Sequence, residues 1–156
     1  MNKFLNVMAV LVAAVFFSTA CTASTPKDPI PQTTPVVITF DPGGSIVDFI
    51  NKYEDYAKSR TPVVVKGECI SACTLMLGVL NPAQVCVSPN AMFAFHSATN
   101  GVGGDFSEVG TQVGWYLYPT WVRVLLTKLG LGPNIEHPEL VWLPGTTFYR
   151  LCPRNY

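Results

Sequence analysis

Two short β-branched runs, Val36-Val37-Ile38-Thr39-Phe40 and Pro62-Val63-Val64-Val65, flank a stretch in which Ile46, Phe49, Ile50, Tyr53 and Ala57 recur at helical spacing. A strand, a helix and a strand in that order make a crossover rather than a hairpin, so the two strands are expected to run parallel. The first run is bounded by Pro35 and by the turn Asp41-Pro42-Gly43-Gly44. Ser45 and Asp48 then stand three apart in capping-box order, which predicts a helix from Ser45 to about Ser59. The fold class that follows is α/β with a sheet that is at least partly parallel.

Further along, Ser71 to Gly78 is apolar and ends in glycine, which suits a short buried helix. Gln84 to Val87 and Ala91 to Phe95 read as strands separated by the turn Ser88-Pro89-Asn90, and residues 97 to 105 form a glycine-rich loop. From Phe106 to Leu129 the positions Val109, Val113, Tyr116, Leu117, Trp121, Val124, Leu125 and Leu129 have helical spacing, with Pro119 as a break and Gly130 as a C-terminal cap. This stripe is expected to pack into the core, an interface between copies in a homo-oligomer being the other reading. Beyond Pro133 no period stands out, and there is no internal repeat.

The chain has 156 residues, of which the first 23 carry Lys3, an apolar run from Val7 to Phe17 and small residues from Ser18 to Ala23. That order is the order of a secretory signal, and the apolar run is too short to span a bilayer. Residues 1–23 are therefore read as an export signal, 24–35 as a Pro/Thr-rich tether, and 36–156 as one folded domain. Cys21 after Ala20 is a candidate for lipidation, although Ser18 replaces the larger aliphatic residue usual at that position; soluble release after Ala20 or Ala23 is the favoured outcome. The expected location is the bacterial periplasm or cell envelope, with membrane attachment only through the signal or a lipid at Cys21.

An oxidising compartment gives cysteine parity meaning. Setting Cys21 aside leaves Cys69, Cys73, Cys86 and Cys152, an even set with three possible pairings. A Cys73–Cys86 bond would tie the helix after Ser71 to the strand pair leading to His96. A zinc site built from Cys69, Cys73, Cys86 and a histidine is disfavoured, because Cys-x-x-x-Cys around a serine is unlike a zinc knuckle, and neither a metal nor a cofactor is expected. Ten basic and ten acidic side chains, spread without runs, offer no stripe for phosphates, so nucleic acid is set aside as a partner.

Three pieces fall at the C-terminal ends of expected strands, where open parallel sheets place their sites. Asp41 to Ser45 is a glycine turn into a helix N-terminus, able to bring backbone N–H groups close to an oxyanion. Gly67 to Cys73 is a strand-to-helix junction bearing the Ser71 hydroxyl. His96 closes a strand before the glycine-rich loop. Serine needs an adjacent base to become nucleophilic at neutral pH, and histidine is the side chain suited to take its proton.

These segments resemble the Clp peptidase proteolytic subunit and, more broadly, the crotonase superfamily. Asp41-Pro42-Gly43-Gly44-Ser45 is similar to that family's Ser-Pro-Gly-Gly segment, Gly67-x-x-x-Ser71-Ala72 to its nucleophile segment, and Ala94-Phe95-His96 to the strand end bearing its base, 25 residues after the serine. The cysteine-bracketed serine is most similar to exported Clp-like proteins of bacterial envelopes. The resemblance spans about residues 36 to 97 and, weakly, Leu129 to Leu143. It implies repeated βαβ units around a mostly parallel sheet, compact and shortened, with Ser71 as nucleophile, His96 as general base, and the N–H groups of Gly44 and Ala72 as oxyanion hole.

The chain departs from the family in having Gly145 where the acid of the triad is expected, about fifty residues past the histidine. Glu136 and Glu139 are the nearest carboxylates, and the resemblance assigns the acid to Glu139, within His137-Pro138-Glu139-Leu140-Val141-Trp142-Leu143. The function expected is an exported serine hydrolase, a Clp-like peptidase acting on peptides or proteins. The alternative is a catalytically weak or inactive scaffold that binds peptides or partner proteins, favoured by the missing aspartate and by Trp115, Tyr116, Tyr118 and Trp121. An acyl-CoA enzyme is the weakest reading, since an exported protein rarely meets coenzyme A.

Overall fold

The computed structural model describes residues 34–154. The export signal, Cys21 and all of the tether before residue 34 lie outside the described residues. Strand β1 (Val36–Asp41) leads through the glycine turn to helix α1 (Ile46–Ser59) and then to β2 (Val63–Ile70), which pairs parallel with β1 from Val36 opposite Val63 to Asp41 opposite Cys69. The register shifts between Ile38 and Phe40, opposite Gly67. A Cβ at Gly67 would lie 1.9 Å from the Thr39 carbonyl oxygen, so a residue without a side chain is what lets the two backbones pass.

The other edge of β2 is shared by two strands in succession. Val63–Val65 pairs with β3 (Val85–Val87), and Glu68–Ile70 with β4 (Met92–Phe95), both parallel. Between them the chain steps around a turn closed by Ser88 N–H to the Val65 carbonyl at 2.8 Å and Ser88 Oγ to the Lys66 carbonyl at 2.9 Å. Strand β5 (Val141–Pro144) completes the sheet antiparallel to β4, giving a mostly parallel order β1-β2-β4-β5 with β3 beside β2. Val63, Val64 and Val65 are all buried, as expected of a central strand covered on both faces.

Helix α1 begins as its sequence predicts, with Ser45 Oγ accepting the Asp48 N–H, and ends where Arg60 turns left-handed. Its buried residues are Phe49 and Tyr53, and the Tyr53 hydroxyl donates to the Cys73 carbonyl at 2.8 Å. The expected helix from Ser71 to Gly78 takes two forms: a 3-10 turn (Ser71–Leu75) followed by the single turn α2 (Met76–Val79). The Phe106-to-Leu129 stretch forms α3 (Glu108–Leu117) and α4 (Thr120–Lys128), broken at Pro119 and followed by Gly130 at φ 89°.

Most of the stripe expected to face the core on these helices does not do so, although Leu117 packs against it. Val109, Val113, Tyr116, Trp121 and Val124 are exposed, while Val122 and Leu126 are buried. Pro119 resets the helical phase, so α4 buries positions one residue later than a single helix would. On α3 the buried member is Gly114 rather than a large side chain.

The disulfides are Cys69–Cys73 and Cys86–Cys152, and the Cys73–Cys86 link weighed from sequence is not formed. The register explains the choice. Cys86 pairs with Val64 near the start of β2, far along the sheet from Cys73, whereas Cys152 N–H donates to the Val87 carbonyl at 2.9 Å. Two such bonds fit an oxidising environment outside the cytoplasm. Among the described residues no helix is long and apolar enough to cross a membrane.

Candidate active site

Parallel register brings three strand ends to one edge of the sheet. Asp41 at the end of β1 stands opposite Cys69, and Ile70 at the end of β2 stands opposite Ala94, two residues before His96. Neighbouring strands lie about 4.8 Å apart, so the glycine turn, Ser71 and His96 follow one another across adjacent strands. Ser71, His96, Gly44 and Ala72 all line one cavity of about 840 Å³.

Ser71 sits at the sharp turn from β2 into the 3-10 segment with φ 56°, a left-handed backbone that serine rarely adopts. Such strain at a strand-to-helix turn is a device for lifting a hydroxyl clear of its own backbone. Three contacts hold the turn. The Cys69–Cys73 disulfide closes a short loop around it. The Thr74 hydroxyl donates to the Ser71 carbonyl at 2.6 Å and lies 2.5 Å from the Tyr118 hydroxyl, which therefore donates to Thr74. Burial pushes the Tyr118 phenol up to about 12, against the smaller effect of the Thr74 hydrogen bond, so it remains a proton donor.

The glycine turn lies against this elbow. A Cβ at Gly43, whose φ is 84°, would fall 2.9 Å from the Ala72 nitrogen. The Gly43 N–H is taken by Asp41 Oδ1 at 2.9 Å, and the other Asp41 oxygen is 3.5 Å from Lys52 Nζ. Gly44 is thus the next donor in the turn. Ala72 is the second residue of a 3-10 segment whose first N–H groups have no intrahelical acceptor. Gly44 and Ala72, the residues proposed from sequence to supply an oxyanion hole, line the same cavity as the serine.

His96 is half-buried, and desolvation lowers its pKa, opposed in part by the Ser97 backbone carbonyl. Its ring is neutral, and able to accept a proton, at neutral pH. The residues that follow are tied down. Ser97 exchanges two bonds with His137, its N–H to the His137 carbonyl and its Oγ from the His137 N–H, both 3.0 Å. Ala98 accepts from Ser107 N–H at 2.8 Å and donates to Thr111 Oγ1 at 2.9 Å. Among the described residues no hydrogen bond joins the Ser71 hydroxyl to the His96 ring, on which the Ser97 backbone acts instead.

Glu139 does not reach His96. Its exposed carboxylate lies 3.7 Å from His137 Nδ1, a nitrogen that also contacts the Glu139 carbonyl at 3.0 Å, and it is absent from the cavity wall. Glu136 lines a separate polar pocket of about 390 Å³ that shares Ser97 and Thr99 with the main cavity. Of the four aromatic residues singled out on the helices, Trp115 and Tyr118 line the main cavity, while Tyr116 and Trp121 are exposed. Thr74, Ser97 and His137 were not legible as site residues, since each acts through a backbone group brought near only by folding.

A scan against protein-family models finds no match for this chain, and a search of the curated proteins finds none either.

Proposed function

We propose that this chain is an exported serine hydrolase of the Clp peptidase/crotonase type, with Ser71 as nucleophile and His96 as general base. The observation that carries the reading is that Ser71, in a left-handed elbow, lines one cavity together with His96, Gly44 and Ala72. In the reaction His96 takes the Ser71 proton as the oxygen attacks a carbonyl carbon. The Gly44 and Ala72 N–H groups stabilise the oxyanion of the tetrahedral intermediate. Collapse breaks the bond to the leaving group, which departs with the proton from His96, and leaves acyl-Ser71. Water, deprotonated by His96, then releases the acid and restores the serine. The sequence signal of residues 1–23 and the two disulfides support an extracytoplasmic setting such as the bacterial periplasm.

A second reading, a weakly active or inactive scaffold that binds peptides, is favoured by one observation: Glu139 turns to His137 and leaves His96 without that carboxylate. Labelling with a fluorophosphonate probe separates the two. The oxidised protein is expected to be modified at Ser71, and Ser71→Ala and His96→Ala to resist modification. Unmodified oxidised protein that still binds peptides would decide for the scaffold.

A further inference from the structure

We infer that the cavity beside Ser71 is an acyl-chain subsite and that the substrate is a neutral ester with a long apolar acyl group. The inference rests on the hydrolase reading above and adds the class of molecule that the site takes. Among the described residues no Asp, Glu, Lys or Arg lines the cavity; Leu75, Phe95, Trp115, Leu126, Leu131 and Ile135 form its apolar part, beside uncharged polar groups such as Ser97, Thr99 and Asn100. A carboxylate, ammonium or phosphate drawn into it would lose water and gain no charged partner. Its polar side chains include the Thr74 and Tyr118 hydroxyls, which are already hydrogen-bonded to each other. The volume, about 840 Å³, lies in the range of small-molecule sites.

Helix α3 presents Gly114 to the cavity, where a Cβ would meet only Leu75 Cδ2, at 3.6 Å; at Gly110, also in the lining, a Cβ would instead crowd Ala98 Cβ at 3.0 Å. A longer side chain at Gly114 would occupy the room that an acyl chain fills.

The chemistry of the base selects esters over amides. Among the described residues no carboxylate lines the cavity that His96 lines, and the exposed Glu139 carboxylate lies near His137 instead, so the imidazolium formed during attack lacks the partner that a triad supplies. Esters, being intrinsically more reactive than amides, tolerate that loss. Peptides are the competing class and serve as the control.

The experiment is a chain-length series of p-nitrophenyl acetate, hexanoate and decanoate with the full, oxidised protein, alongside peptides bearing an apolar residue at the scissile bond. kcat/KM is expected to rise at least tenfold from acetate to hexanoate or decanoate and to exceed that for any peptide. Gly114→Leu is expected to lower the long-to-short ratio at least tenfold, while Gly114→Ala keeps the original order. The series on the unsubstituted protein stands by itself if Gly114→Leu does not fold. Fluorophosphonate labelling with a flat chain-length profile overturns the subsite and leaves the hydrolase reading intact. Peptides cleaved better than esters overturn the substrate class. Absence of both labelling and ester turnover removes the hydrolase reading, and this inference with it.

Discussion

Gly43 lies so close to Ser71 that a Cβ on the glycine would come within 2.8 Å of the serine's own Cβ. The loop after β1 and the elbow after β2 are therefore fitted to each other through bare backbone. Asp41 Oδ1, accepting the Gly43 N–H at 2.9 Å, holds the glycine turn against the elbow. Backbone donors preorganised in this way need no rearrangement when charge develops on a bound carbonyl oxygen.

The elbow has a cost that two substitutions measure. A left-handed backbone costs a non-glycine residue about 1–2 kcal/mol, and glycine returns roughly 0.5–1 kcal/mol of that through its greater freedom in the unfolded chain. Ser71 has φ 56°, so Ser71→Gly is expected to be more stable than Ser71→Ala by about 0.5–1 kcal/mol, both being inactive. Urea denaturation of the two variants checks this. An alanine variant more stable by about 0.5–1 kcal/mol would show that the turn carries no strain.

The relay behind the elbow predicts a separate pattern. Thr74→Val leaves the Ser71 carbonyl and the buried Tyr118 hydroxyl without their shared partner, at an expected cost of about 1–3 kcal/mol. Tyr118→Phe removes one donor and leaves Thr74 bonded to Ser71, for about 0.5–1.5 kcal/mol. Thr74→Ser keeps the hydroxyl and should restore both stability and the rate of fluorophosphonate labelling. If Thr74→Val folds and labels as fast as the unsubstituted protein, Thr74 has no positioning role.

How far the site was legible depends on how local its causes are. Ser45 as a cap, the strand end at Phe95 and the glycine turn all follow from neighbours within a few residues, and the structure forms them, with β1 running one residue past Phe40 to Asp41. What escaped depends on contacts made across the fold. Val141-Trp142-Leu143-Pro144 is too short and too mixed to read as a strand, and it becomes one because β4 offers an open edge. The pairing of Cys86 with Cys152 follows from the segment around Leu151 lying beside β3, which no local pattern announces. Glu139 is the carboxylate the resemblance offers in place of the acid missing at Gly145, yet it lies beside His137, two residues before it.

His96 predicts a pH dependence with a defined sign. Burial holds its folded pKa below the ordinary value of about 6.5, so at acid pH the unfolded chain binds the extra proton more readily. The stability contributed by the neutral ring is complete above about 6.5 and is lost as pH falls through the folded pKa. The difference in stability between the unsubstituted protein and His96→Asn should therefore be level above that value and shrink below it. The labelling rate at Ser71 should fall over an acid limb whose midpoint lies below 6.5. A midpoint above that value would contradict the burial of the ring.

The two disulfides divide stability from chemistry. By chain entropy alone, the Cys86–Cys152 bond, with 66 residues of separation, contributes about 4 kcal/mol, and the Cys69–Cys73 bond, with a separation of 4, about 2 kcal/mol. Replacing Cys86 and Cys152 by serine should therefore cost more stability, measured by urea denaturation. At a temperature where that variant is still folded, its labelling rate should change little, because Cys86 pairs with the beginning of β2, away from the elbow. Replacing Cys69 and Cys73 should cost less stability and slow labelling at least tenfold, since the loop they close contains Ser71 itself. A Cys69/Cys73 variant that labels normally would mean that Gly43, Thr74 and Tyr118 suffice to hold the elbow, and that its covalent clamp matters to stability alone.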